Sequence, residues 1–275
     1  MSELISNGKS NFGMNGLGFL NIELTSRCNK KCWMCGRRKL ERDYPELCNW
    51  GDMDKDLVME ISRQVPEGIV LQMHNNGDPL LYPDLGWALS LFQKNIRCFD
   101  TNGKLLLERG DEIFGNMETL TISVIEDDEE GDEQYELVRR FISKRGVRKP
   151  SLIYRLLGRV DHPERWERLP GLVARRLLHA PEGSRQYRRP PTIPEIGICL
   201  DLLTHLAINR FGEVSVCVRF DPHKHGVIGD LKYHTLSEIW NGQVRKYYVQ
   251  QHLEGLRNSL QLCGACDYFG LPRGD

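Results

Sequence analysis

"GFLNIELTSRCNKKCWMCGRRK" (18–39) decides the fold. Its first eight residues alternate apolar and polar, the mark of a half-buried strand. Three cysteines follow at once, Cys28, Cys32 and Cys35, with Trp33 and Met34 between the last two. A strand that delivers three thiols onto one short loop puts chemistry at that strand's C-terminal end.

Outward from this stretch the rhythm repeats. "DKDLVMEISRQV" (54–65) has apolar residues at helical spacing, with Asp54 as its N-cap. Strands are expected at 68–74, 96–101, 120–125 and 151–156, and helices at 83–94, 104–113 and 132–145. A βαβα alternation predicts a parallel sheet with helical crossovers, here an α/β partial (β/α)6 barrel. Its ligands would sit at the C-terminal strand ends. The loop motifs fall there: the thiols after the first strand, "NNGDP" (75–79) after the second, "TNG" (101–103) after the third. Parity turns Leu20, Ile22 and Leu24 toward the helices. It turns Asn21, Glu23, Gln72, His74, Thr121, Ser123 and Arg155 toward the axis. An interior that polar suits a barrel opening into a substrate cavity. Residues 160–190 read as a helix broken near Pro170, and the arginine- and proline-rich run 185–194 as a linker. After it come a hairpin over 205–218, a helix over 236–253, and a CxxC at Cys263 and Cys266. The expected division is an extension over 1–17, a barrel over 18–190 and a small hairpin-plus-helix unit over 191–275.

Composition narrows the function. The chain has 275 residues with a net charge of −1, so no global field favours nucleic acid or an anionic membrane. It carries no apolar run of spanning length and no signal-peptide pattern at its N-terminus, so a cytoplasmic location is expected. Nine cysteines in a reducing compartment point to metal rather than disulfides. Seven fall into two groups, Cys28, Cys32 and Cys35, then Cys199, Cys217, Cys263 and Cys266. Three thiolates suit an iron–sulfur cluster with one iron open better than four-coordinate structural zinc. For the second group, the CxxC leaves a zinc ribbon open.

With the CxxxCxxC, "NNGDP" and "TNG" in place, the sequence resembles the radical SAM superfamily. "NNGDP" resembles that family's GGEP motif, with Asp78 where Glu is usual. Met34 stands where an aromatic residue is usual, and the Trp33–Met34 pair reads as a cover for the cluster. The spacing of Cys199, Cys217, Cys263 and Cys266 resembles the SPASM/twitch extension, nearest to the 2-deoxy-scyllo-inosamine dehydrogenase type. The resemblance implies that the first three cysteines hold a [4Fe–4S] cluster with an open site. It implies that Asn76, Gly77, Asp78, Pro79, Thr101, Asn102, Ser123 and Met34 contact S-adenosyl-L-methionine, and that the last four cysteines hold one auxiliary [4Fe–4S] cluster. The activity implied is hydrogen abstraction by a 5′-deoxyadenosyl radical and oxidation of a small polyol, sugar or aminocyclitol. The alternatives are a peptide side-chain maturase and a radical epimerase. A flavodoxin- or ferredoxin-type donor would supply electrons.

Glu23 and His74 are candidate bases on a substrate hydroxyl. Arg155 is a candidate substrate contact. Cys48 and Cys98 are candidate hydrogen donors, though a buried cysteine is more often a small hydrophobe. The acidic run 126–133 reads as a helix N-terminus. Arginines 175, 176, 185, 188 and 189 read as solvated, and His223 and His225 as loop residues.

Overall fold

The computed structural model describes residues 13–125, 130–158, 160–176, 198–218 and 221–266. Six strands lie side by side in chain order, all parallel: β1 (Phe19–Ile22), β2 (Val70–Gln72), β3 (Ile96–Thr101), β4 (Thr119–Val124), β5 (Ser151–Leu157) and β6 (Leu172–Arg176). Helices make the crossovers: α1 (Gly36–Asp43) and α2 (Lys55–Gln64) before β2, then α3 (Leu85–Ser90), α4 (Leu106–Ile113), α5 (Gly131–Arg145) and α6 (Pro163–Glu167). This is the expected α/β partial barrel.

Local chemistry explains the elements. The Asp54 carboxylate caps α2 by accepting from the Asp56 N–H at 2.8 Å. Helix α5 has Asp132 and Glu133 in its first turn and Lys144 and Arg145 in its last, which complements the helix dipole. Its buried Gln134, Val138 and Phe141 recur at one helical face. Leu20, Ile22 and Leu24 are fully buried, as parity requires, and share a core with Val58, Ile61, Leu89 and Phe141. Truncating any of them to alanine would cost roughly 2–5 kcal/mol.

A seventh strand, β7 (His205–Ile208), pairs in parallel with β1 on the side away from β2. It turns through Asn209–Gly212 into β8 (Glu213–Ser215), which pairs antiparallel and is followed by β9 (Val227–Asp230). Gly212 takes φ +89, which the turn needs and a side chain resists. The hairpin expected over 205–218 is thus present, and it extends the barrel's own sheet.

Three expectations are corrected. The stretch after β5 is not one broken helix: α6 ends at Glu167, Leu169-Pro170-Gly171 breaks the chain, and β6 pairs with β5. Arg175 and Arg176 therefore lie on a strand. The Tyr154 hydroxyl donates to the Pro170 carbonyl at 2.9 Å and fixes that turn. The helix over 236–253 is two, α8 (Leu236–Trp240) and α9 (Gln243–Leu253), following a short α7 (Leu200–Thr204). The chain turns at Asn241–Gly242, where Gly242 is extended and a Cβ would meet the Glu238 carbonyl at 3.0 Å. Finally, β1 and β2 end earlier than expected, so Glu23 and His74 lie just past them. The 185–194 run, the boundary near 190 and residues 126–129 lie outside the described residues. No described helix is long and apolar enough to cross a membrane.

Candidate functional site

The three loop motifs interlock at the C-terminal ends of β1, β2 and β3. Asp78 is the pin. Its carboxylate accepts from the Thr101 hydroxyl at 2.9 Å, the Asn102 N–H at 2.8 Å and the Leu80 N–H at 3.0 Å. Burial pushes this carboxyl above its usual 3.8, against the pull of those donors. The Asp78 N–H donates to the Arg27 carbonyl at 2.8 Å, which docks "NNGDP" on the thiol loop. Gly77 permits that approach, since a Cβ there would stand 2.2 Å from the Thr25 carbonyl oxygen. Asn102 reaches back: its amide donates to Asn29 Oδ1 at 2.8 Å and lies 3.8 Å from Cys28 Sγ. Gln134 of α5 donates to the carbonyls of Asn102 at 2.7 Å and Ser123 at 2.8 Å, joining the fourth strand's loop to the rim.

The thiol loop is braced from below. Cys35 stands at the N-cap of α1. Arg37, two residues on, is buried, donates to the Ser26 carbonyl and stacks 3.8 Å over the Trp50 ring. Ser26 exchanges hydrogen bonds with Gly51, and Arg27 forks onto Asp52 at 2.8 and 2.9 Å. On the other side Lys30 and Lys104 converge on Glu130 at 2.9 and 2.5 Å. These lysines hold the Glu130 carboxyl below its usual 4.5. The expected apolar cover is split: Met34 is 8% exposed and Trp33 is 43% exposed. Burial, reinforced by the charge on Cys28, raises the Cys35 thiol above its usual range. None of the nine cysteines forms a disulfide. Among the described residues no three His, Cys, Asp or Glu side chains converge tightly enough to grip one metal ion. The donor set is three thiols on a loop whose backbone is fixed by other residues, which fits a cluster held at one rim.

The barrel interior carries a polar row. Asn21 donates to the His74 carbonyl at 2.9 Å and bonds the His205 ring. Gln72 lies 3.4 Å from Asp100, and Arg155 pairs with Asp100. Asp100 is a site residue the sequence reading did not single out, although β3 parity aligned it with Cys98. The Asp100 N–H donates to His74 Nδ1 at 3.1 Å, so the ring's proton sits on Nε2, 3.6 Å from the Asp100 carboxylate. His74 is thereby a donor with its free lone pair taken. Glu23 is occupied too: Asn76 donates to Oε1 at 3.1 and 3.0 Å, and the Arg210 N–H to Oε2 at 3.2 Å. It ties "NNGDP" to the β7–β8 turn. Burial pushes the Cys98 thiol up to about 11, with Arg155 pulling the other way. Cys48 lies elsewhere, its sulfur 3.8 Å from the Tyr44 carbonyl after α1.

Glu23 yields a pH test. Burial raises its folded pKa above the usual 4.5. The folded state therefore holds that proton more tightly than the unfolded one. The stability this contributes is complete below the unfolded pKa and is lost as pH rises through the folded value. Glu23→Gln removes the dependence. Urea unfolding from pH 4 to 7 should show the variant-minus-parent difference moving in the variant's favour as pH rises.

The second thiol group assembles around α7 and the chain's last described turn, α10 (Gln261–Gly264). Cys199 is the N-cap of α7 and Cys217 follows β8. Cys263 is pushed up to about 12 by burial and then by the charges of Cys199 and Cys266. Cys199 and Cys266 thus both lie close enough to Cys263 for their charges to act on it. Arg257 is buried and donates to the carbonyls of Cys263 and Cys266, the latter at 3.1 Å. Of the two loop histidines, His223 stacks edge-on against Tyr44 at 5.0 Å.

Comparison with known proteins agrees with this arrangement. Residues 199–267 match the family model described as SPASM, an iron–sulfur cluster-binding domain. The tungsten-containing aldehyde ferredoxin oxidoreductase cofactor-modifying protein of Pyrococcus furiosus is 29% identical over 116 residues, 37% of this chain and 31% of that protein. The match thus spans about a third of that relative. Among solved structures, BtrN in an open conformation superposes with a TM-score of 0.58 at 16% identity, covering 92% of each chain. BtrN in complex with AdoMet and 2-DOIA gives 0.56 at 14% identity, covering 92% of this chain and 93% of that one. Streptococcus suis SuiB bound to precursor peptide SuiA gives 0.55 at 14% identity, covering 91% of this chain and 70% of that one. At those identities the likeness is one of fold.

Proposed function

We propose that this chain is a radical SAM oxidoreductase that takes a hydrogen atom from a small polyol, sugar or aminocyclitol and oxidises a ring alcohol to a ketone. The observation that carries this reading is the Asp78 pin, which gathers the thiol loop, "NNGDP" and "TNG" at one strand end, above a polar interior. Cys28, Cys32 and Cys35 would hold a [4Fe–4S] cluster, and Asn76–Pro79, Thr101, Asn102, Ser123 and Met34 would line S-adenosylmethionine. Bound there, the pair supplies a 5′-deoxyadenosyl radical. Cys199, Cys217, Cys263 and Cys266 would hold an auxiliary cluster that, with every iron ligated, supplies an electron sink. A flavodoxin- or ferredoxin-type protein would deliver electrons from outside.

The chain's own residues then position the substrate. Arg155 and His74 Nε2–H are donors toward substrate hydroxyls, and Asp100 is the acceptor beside them. Loss of a hydrogen atom, a proton and an electron converts a secondary alcohol to a ketone, and Asp100, paired with Arg155, would take the proton. Glu23 and Asp78, with their oxygens engaged, act as positioning residues. A peptide is the second substrate class, favoured by the fold shared with SuiB, which was solved bound to a precursor peptide.

The test is anaerobic reconstitution, reduction, and assay with carbinol-deuterated polyols. Deuterium in 5′-deoxyadenosine with a ketone product supports the reading. A product of unchanged oxidation state in which one solvent hydrogen has replaced the carbinol deuterium would reassign the chain as an epimerase, with Cys98 as donor from the barrel interior. Absence of 5′-deoxyadenosine sinks both. Asp100→Asn should lower kcat/KM about 10–100-fold, the equivalent of losing a charged hydrogen bond, while cleavage of S-adenosylmethionine without substrate persists.

A further inference from the structure

His252 of α9 is 5% exposed. Its Nδ1 accepts from the Cys199 backbone N–H at 3.3 Å. That bond leaves Nδ1 without a proton and puts the ring N–H at Nε2. Nε2 is buried and has no hydrogen-bond partner among the described residues. A buried N–H without an acceptor is costly, and a further component at the site would complete it. The position of the ring indicates which. One edge rests on the backbone of Cys199. Arg257, close enough for its charge to act on the ring, holds the carbonyls of Cys263 and Cys266. The imidazole therefore sits against the backbone of Cys199, within reach of the charge on Arg257, which holds the loop of Cys263 and Cys266.

We propose that His252 Nε2–H donates a hydrogen bond to a sulfur of the auxiliary cluster, and so sets how readily that cluster accepts an electron. The inference rests on the proposed auxiliary cluster and adds a residue outside its four thiols. A reduced cluster carries more negative charge on its sulfurs than an oxidised one. A donor fixed beside a sulfur therefore stabilises the reduced form and raises the potential. His252 is a positioning and tuning residue in this account, since it would touch the cluster and never the substrate. Arg257 adds a fixed positive charge beside the same loop and acts in the same direction.

The experiment uses the full chain with Cys28, Cys32 and Cys35 replaced by alanine, so that only the second group can load iron. In the ¹⁵N-histidine-labelled protein, pulsed EPR of the reduced cluster should show a histidine nitrogen coupling and an exchangeable proton. In His252→Phe both should vanish, and the reduction equilibrium constant should fall about tenfold, which is about 59 mV for a one-electron couple. His252→Gln, which keeps an acceptor and a donor, should recover most of the shift. Iron bound with no histidine coupling overturns the inference and leaves the proposed cluster standing. So does a potential unchanged in His252→Phe. No iron in the second group overturns the inference and the cluster together. The labelled parent protein gives its answer even if His252→Phe fails to fold.

Discussion

Alanine at Cys28, at Cys32 or at Cys35 is expected to abolish release of 5′-deoxyadenosine, each to the same floor. Each thiol would hold one iron, and a cluster short of one thiolate either falls apart or has two open irons in place of one. Outer-shell changes at metal sites typically cost 10–100-fold. Loss of a ligand should exceed that, a fall of more than about 100-fold. The expectation is selective. Cys199 caps α7, Cys217 follows β8, and Cys263 and Cys266 lie in and just past α10, all remote in sequence from the first group, so they should still load iron, leaving about four of about eight irons per chain. Cys48→Ala, at a thiol whose sulfur lies 3.8 Å from the Tyr44 carbonyl, should keep both iron and activity. The measurement is iron and sulfide counting beside 5′-deoxyadenosine quantitation under reducing, oxygen-free conditions. Full iron in a Cys32→Ala protein would defeat the assignment.

Gly77→Ala should have the second large effect, this time on the scaffold. A Cβ at position 77 would meet the Thr25 carbonyl oxygen at 2.2 Å and the Arg27 carbonyl oxygen at 2.7 Å. Both obstacles are backbone, so no side chain can swing away. Relief requires parting "NNGDP" from the thiol loop. That motion would break the Asp78 N–H bond to Arg27 and drag the carboxylate off Thr101 and Asn102. The expected cost is roughly 3 kcal/mol in the urea unfolding of the apoprotein, with loss of S-adenosylmethionine binding. Gly18→Ala is the control: nothing lies within 4 Å of a Cβ there, and the change should stay within about 0.5 kcal/mol. Equal unfolding midpoints for Gly77→Ala and parent would show that the loops are not locked as described.

Much of this molecule is legible without coordinates, for a definite reason. Alternation over two-residue steps and recurrence over helical turns are local, so β1 to β5, the Asp54 cap and the acidic start of α5 follow from neighbouring residues alone. Strand β6 escaped notice because pairing with β5, not its own pattern, makes it a strand. β7 is legible as a hairpin strand, but its place in the sheet against β1, across most of the chain, is not. The thiol groups could be read because metal ligation demands residue types at set spacings.

The roles of the acids could not be read that way. Glu23 and His74 look like bases in one dimension. The fold commits Glu23 to Asn76 and to Arg210, 187 residues away, and commits His74 Nδ1 to the Asp100 N–H. Asp78 belongs to a motif that resembles one lining S-adenosylmethionine, and the fold adds a second task, pinning the loops through Thr101 and Asn102. The sequence alone determines which chemical groups the rim holds and at which strand ends they emerge. Only the tertiary structure decides which lone pairs remain available, because a carboxylate's chemistry depends on donors brought to it from remote parts of the chain.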